Sequence, residues 1–239
     1  MHSDEGLAQS MGVLYIVSTP IGHLQDITIR SLEILNNVDL VAAEDTRRTG
    51  MLLKHYEIKT PLSSFNSFNQ VKKVKHFVSR IIKGQNLALV SDAGTPGISD
   101  PLYCLARAVI DEGIDVVSLP GPSAILAALT NSGLPVNRFV FEGFLPRKKG
   151  RRKQIEELAA EKRTIVIFES PRRISKTLNE LYQAMGNREV VLARELTKTH
   201  EEVLRRPLEK LVAIAQERKF KGEITLIIAG CSKKLKKGI

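Results

Sequence analysis

Tryptophan is absent from this sequence of 239 residues, and Phe and Tyr supply an aromatic share of only 5%. A surface that grips nucleic acid by stacking base after base on aromatic rings is therefore poorly supplied. Cysteine is scarcer still. Cys104 and Cys231 lack CxxC spacing, which excludes a disulfide framework, and no zinc site or other metal set follows from them. No run of about 18 apolar residues offers a membrane span, and the opening MHSDEGLAQS lacks the basic start and apolar stretch of a secretion signal. The expectation is a cytoplasmic protein without membrane attachment. Two nucleotide signatures are also missing: the GxGxxG of dinucleotide folds and the GK[ST] ending of a phosphate-binding P-loop.

What is present is charge, unevenly placed. Residues 12–122 hold 11 Lys+Arg against 11 Asp+Glu, whereas residues 123–239 hold 25 against 13. All of the excess behind the net +10 therefore lies in the second half. An asymmetry of this size points to a polyanionic partner, nucleic acid first, with a merely solvated basic surface as the alternative.

Short apolar runs alternate with amphipathic helical patterns. Leu14 to Ser18, Leu40 to Ala43, Leu87 to Ser91 and Val116 to Leu119 read as strands, with helical patterns at 26–36, 69–83 and 101–112 between them. This βα repeat predicts a mostly parallel sheet covered on both faces. The turn cluster PGPS at 120–123 then marks a boundary between an N-terminal domain, 12–122, and a C-terminal domain, 123–239. Beyond it the alternation restarts, with strands at 138–143, 164–168, 189–193 and 223–229 and helices at 149–162, 172–185 and 207–218. The fold class is α/β, two α/β domains with a ligand cleft expected between them.

Several loops carry chemistry. VSDAGTPGISDP, residues 90–101, joins a strand to a helix whose start reads as an Asp100 N-cap followed by Pro101. A strand, a glycine loop and a helix start usually seat phosphate. Here, however, the loop has no Lys or Arg and carries Asp92 and Asp100. Its character suits a cationic, hydroxyl-bearing ligand approached by backbone at Gly94 and Gly97, and S-adenosylmethionine has those properties. A tight turn that binds nothing is the plain alternative. STPIGHL at 18–24 reads equally well as a bare turn or a binding loop. AAEDTRRT at 42–49 places two acids and two arginines at a strand end, where open α/β sheets bind ligands; a local helix cap with its salt bridges explains it as well. Phe144-Leu145-Pro146 precedes RKKGRRK, with Arg147, Lys148, Lys149, Arg151, Arg152 and Lys153 in seven positions, a density suited to phosphodiester contacts. Positive charge at a helix start opposes the helix dipole, and a bound polyanion would compensate it. Glu169-Ser170-Pro171-Arg172-Arg173 reads as a strand end with a Ser170 cap, and Arg194 to Glu201 ends another strand. His200, in that last stretch, is a surface histidine or a base.

Taken in order, STPIGHLQDIT, AAEDTRRT, SDAGTPGISDP, PGPSA, the FxFEGFLP form at 139–146, ESPRRI, ARELTK and the KGE before the last strand resemble one family over nearly all of residues 12–230. It is the bacterial 16S ribosomal RNA cytidine 2'-O-methyltransferases, within the tetrapyrrole methylase (class III) superfamily. The resemblance implies a two-domain homodimer that uses S-adenosylmethionine in an interdomain cleft and acts on the decoding-region RNA of the 30S subunit. It also implies cofactor contacts at Gly22, Asp92, Ala93, Gly94, Gly97, Ile98, Ser123, Ala124, Phe168, Ala193, Ile224 and Thr225. Charge at strand ends nominates Glu44 and Asp45 as proton acceptor or hydroxyl orienter, with Arg47 beside them. Arg48, the basic run 147–153, Arg172, Arg173 and Lys198 are the candidate RNA contacts. Two rivals stand beside this reading: a small-tetrapyrrole methylase, disfavoured by the extended basic half, and a non-catalytic RNA-binding assembly factor, which would need no acidic glycine loop.

Overall fold

The computed structural model describes residues 10–98 and 103–231, so the expected Asp100–Pro101 helix start lies outside the described residues. The chain divides into two compact units, Met1–Ser123 and Ala124–Ile239.

In the first unit, β1 (Leu14–Val17), β2 (Leu40–Ala43), β3 (Leu62–Ser64), β4 (Leu87–Val90) and β5 (Val116–Leu119) form a wholly parallel sheet in the order β3-β2-β4-β1-β5. The central strands LVAA and LALV are buried at every position, as continuous apolar runs must be when both faces of a sheet are covered. Strand alternation splits the core in two. Leu14, Leu40, Leu87 and Leu89 pack beneath α3 (Gln70–Ile82) and α4 (Tyr103–Asp111), where Phe65 meets Phe77 edge-on at 5.5 Å. Val17, Val41, Ala43 and Val90 pack beneath α1 (Ile29–Asn37) and α2 (Thr46–His55). Each fully buried Leu, Val or Phe contributes about 1.5–3 kcal/mol. Thr28 starts α1 by accepting the Ser31 N–H at 3.1 Å, so the helix begins three residues later than its apolar periodicity suggests.

The second unit departs from the expected repeat. Its strands are β6 (Phe139–Phe144), β7 (Thr164–Glu169), β8 (Glu189–Arg194), β9 (Glu202–Pro207) and β10 (Ile224–Ile228), in the order β6-β7-β10-β8-β9. Only β6 and β7 run parallel; the ladders β7–β10, β10–β8 and β8–β9 are antiparallel. The reversal between β8 and β9 is made by Glu195 and Thr197, both in left-handed backbone at φ 51° and 64° without the glycine that usually signals it. Residues α6 (Arg151–Ala159), α7 (Ile174–Met185) and α8 (Leu208–Glu217) bury Ile155, Leu178 and Leu211 against Ile165, Ile167, Leu192 and Leu226. A further helix, α5 (Ala124–Thr130), packs against β10.

Candidate active site

The register of the first sheet decides which loops meet. Val17 pairs with Leu119, Ile16 with Leu89 and Ala43 with Val90, so the chain leaves β1, β2, β4 and β5 at one level on one edge. Hydrogen bonds then stitch those loops together. Thr19 and Gly94 exchange both backbone bonds at 2.9 Å, Ser18 Oγ meets Thr95 Oγ1 at 2.8 Å, and Thr19 Oγ1 donates to the Ser91 carbonyl at 3.1 Å. Gly121 of the PGPS turn lies so close that a Cβ there would stand 2.7 Å from the Ser18 Cβ. These hydroxyls were not singled out in the sequence, where Ser and Thr beside Gly and Pro read only as turn formers.

The second tie joins β2 to β4. The Asp45 N–H donates to Asp92 Oδ1 at 3.0 Å, and the Asp92 N–H donates to Glu44 Oε2 at 3.3 Å. Arg48 reaches Asp92 at 3.5 Å. Asp92 is half-buried, while Gly22, Ala93 and Ile98 are exposed beside it. Gly94 and Gly97 hold φ of 76° and 86°, where any side chain is strained. Residues 91–98 thus carry the half-buried Asp92 carboxylate, met by the Asp45 N–H and Arg48, and no Lys or Arg of their own, a composition that fits an ammonium, a sulfonium and ribose hydroxyls better than phosphate.

Asp45 has a narrower part. It caps α2 by accepting the Arg47 N–H at 2.9 Å and pairs with Arg47 through Nε at 3.1 Å and Nη2 at 2.7 Å. The Arg47 side chain first, and its backbone N–H second, hold the Asp45 carboxyl well below the usual carboxylate range. An acid so strongly ionised is a weak proton acceptor. The helix-cap alternative therefore describes Asp45 itself, while Glu44 stands outside that pair.

In the second unit, Phe168, Thr225 and Ala193 fall in one row. Thr225 pairs with Phe168 on β7 and with Ala193 on β8, and Ile224 pairs with Glu169 and Arg194 one step away. A bulge between Phe141 and Gly143, the latter at φ 60°, brings Phe144 into the row opposite Phe168. Phe141 and Phe144 pack on Phe168 with centroids 5.1 and 5.6 Å apart. Because Ile167, Leu192 and Leu226 point into the helix-covered core, alternation puts the row on the opposite face. Ser123 ends the first unit, and Ala124 begins both the second unit and α5.

The basic run proves to be of two kinds. Arg147, Lys148, Lys149, Arg152 and Lys153 are exposed, the last two in i,i+4 pairs with Glu156 and Glu157. Arg151 is instead buried, at 6% exposure, with Nε 2.7 Å from Glu180, Nη2 2.7 Å from Thr177 Oγ1 and a further pairing to Glu169. It cannot meet RNA there. The N-terminal turn of α6 faces α7, and the buried carboxylate of Glu169 requires a buried cation. Arg173 is likewise committed, at 2.7 Å from Glu169 and 3.0 Å from the Leu145 carbonyl, whereas Arg172 is exposed. Ser170 Oγ accepts the Arg172 N–H at 3.3 Å, capping the turn that leads into α7 rather than the helix itself. Lys198 bonds Glu195 at 2.9 Å and Glu223 at 3.2 Å; burial works against its charge, but these carboxylates prevail and raise its pKa. Its ammonium is held inside the chain. His200 is exposed.

Residues 13–212 match the tetrapyrrole (corrin/porphyrin) methylases. The chain is 49% identical over 220 residues to the ribosomal RNA small subunit methyltransferase I of Thermotoga maritima, covering 92% of this chain and 99% of that protein. It is 48% identical to the protein of the same name from Escherichia coli O157:H7, covering 96% and 82%. Among solved structures, diphthine synthase superposes with a TM-score of 0.72 at 15% identity, covering 91% of this chain and 90% of that one, a likeness of fold.

Proposed function

Since the chain belongs to the tetrapyrrole methylases, and to the ribosomal RNA small subunit methyltransferase I group within them, we propose that it methylates the RNA of the small ribosomal subunit. The reaction we assign is methyl transfer from S-adenosylmethionine to the 2'-hydroxyl of a cytidine ribose in the decoding region of 16S RNA. The observation that carries this reading is the near-full-length identity to the ribosomal RNA methyltransferases, and the acidic, glycine-bearing edge of the parallel sheet supports it.

Bound S-adenosylmethionine supplies an electrophilic methyl on a sulfonium. The residues that would hold it are Gly22, Asp92, Ala93, Gly94, Gly97, Ile98, Ser123, Ala124, Phe168, Ala193, Ile224 and Thr225. A ribose hydroxyl is a weak nucleophile, so its alignment accounts for much of the acceleration. Glu44 would accept the proton of that hydroxyl, an effect of about 10²- to 10⁴-fold. Asp45 holds the Arg47 guanidinium in place, and from that position its exposed side would meet a phosphate. Arg48, Arg147, Lys148, Lys149, Arg152, Lys153 and Arg172 grip the RNA backbone. A homodimer working in the cytoplasm completes the reading, and among the described residues no helix is long and apolar enough to cross a membrane.

The test is methyl transfer from labelled cofactor to 30S subunits, naked 16S RNA and a tetrapyrrole, with the product nucleoside identified. We expect 2'-O-methylcytidine from RNA and no labelled tetrapyrrole. Label on a base, or on the tetrapyrrole alone, overturns the assignment. Glu44→Gln should lower turnover by the factor given above while cofactor affinity holds.

A further inference from the structure

A second concentration of positive charge lies outside the run 147–153. A pocket of about 230 Å³ opens in the second unit where β8 ends and the segment 218–221 leads to β10, lined by Arg194, Glu195, His200, Arg218, Lys219 and Lys221 around Phe220. The segment is firmly held. Phe220 is turned into the core at 7% exposure, the Arg218 guanidinium stands 4.6 Å from its ring centre, and Arg194 Nη1 donates to the Lys221 carbonyl at 3.1 Å. Gly222 completes the hold, since a Cβ there would stand 2.2 Å from the Glu195 carboxyl carbon.

The charges of the pocket are not all neutralised. Glu202 is shared by Arg194 and Arg218 at 2.8 Å each, and Glu195 is taken by Lys198 at 2.9 Å. Lys219 and Lys221, both exposed, form no ion pair among the described residues. Two ammonium groups flanking a buried ring, on backbone fixed from both sides, offer paired donors to an anionic group with several acceptor oxygens. The pocket also lies at the end of β8 and β10 that carries Ala193 and Thr225, since Arg194 and Ile224 pair there.

We propose that Lys219 and Lys221 form a phosphate seat in this pocket for the backbone of the RNA substrate, beside the row that runs through Ala193 and Thr225. The seat rests on the reading of the chain as an RNA methyltransferase. Its ligand is a phosphodiester, recognised without regard to base sequence, and its share of the affinity falls with salt.

Two measurements on the full chain test it. Acetylation of lysines with and without poly-uridine RNA should show Lys219 and Lys221 protected at low salt and released at high salt; equal acetylation in both samples overturns the seat. Equilibrium binding of 16S RNA should weaken at least tenfold in Lys219→Glu/Lys221→Glu, with the salt slope reduced by about 1.4 for two single-strand contacts. Cofactor affinity and melting temperature should stay unchanged, and Lys219→Arg/Lys221→Arg should bind like the parent. An unchanged affinity and slope in the Glu variant, in a parent that binds and methylates RNA, also overturns the seat. If poly-uridine protects both lysines but the parent methylates no RNA, the seat stands as a polyanion site and the methyltransferase reading is what falls.

Discussion

The two sheets bury different things. Among the described residues, the first unit buries only hydroxyls as polar side chains, Ser18, Thr19, Ser31, Thr49 and Ser91, and leaves its carboxylates, Glu44, Asp45 and Asp92 at the strand ends included, outside the core. The second buries charge itself: Glu169 is 1% exposed and Arg151 6%. The neutral sheet can therefore offer its acids to a ligand because its core does not need them, whereas the basic unit spends part of its charge on its own interior. Counting arginines in the second half overstates the cations available to RNA.

Breaking the buried charge should have the largest effect. Glu169→Ala leaves Arg151 and Arg173 short of a partner and should destabilise the protein by about 3–5 kcal/mol in urea unfolding. Thr19→Ala in the other unit should cost about 1 kcal/mol for its single bond to Ser91. Equal losses would erase the contrast. Next comes the glycine loop. Gly94→Val places a branched side chain at φ 76°, a strain of about 1–3 kcal/mol, and should weaken S-adenosylmethionine binding about tenfold by calorimetry. Unaltered affinity would remove residue 94 from the cofactor site.

The smallest effect concerns pH. A carboxyl held below its ordinary range keeps its pairing at every pH above the ordinary value of about 3.9 and loses it only as the pH falls through the lowered one. Asp45 therefore stays ionised throughout pH 5 to 8. Asp45→Asn should lower methyl transfer by less than about tenfold, about 1.4 kcal/mol, and leave the midpoint of any acid limb in place. Disappearance of that limb would make Asp45, rather than Glu44, the titrating base.

The first unit was largely legible because its strands are continuous apolar runs between glycine and proline turns, and a parallel sheet leaves few other pairings. Its short pieces were not: β3 is three half-buried residues, LSS, with no alternation to see, and α2 hides behind the charges of EDTRRT. In the second unit α5 lies directly behind the PGPS turn cluster. There too the β8–β9 connection runs through left-handed backbone at Glu195 and Thr197, residues whose identity does not announce it. At the candidate site, loop chemistry could be read from composition, but the split of the basic run could not. Arg151 and Arg152 are neighbours in sequence, and the helix turns one to Glu180 and the other to solvent. The row through Phe168, Thr225 and Ala193 depends on strand order, which no local pattern contains.

Phe144 closes that row at its outer end, 56% exposed against the ring of Phe168. Since the chain has no tryptophan, Phe144→Trp would give it a single indole emitter in place of the ring that the bulge at Gly143 directs toward Phe168. Excited at the red edge, where the four tyrosines do not absorb, its colour and quenching would report events at the row without a second indole, turning a gap in the composition into an optical window on one face of the sheet.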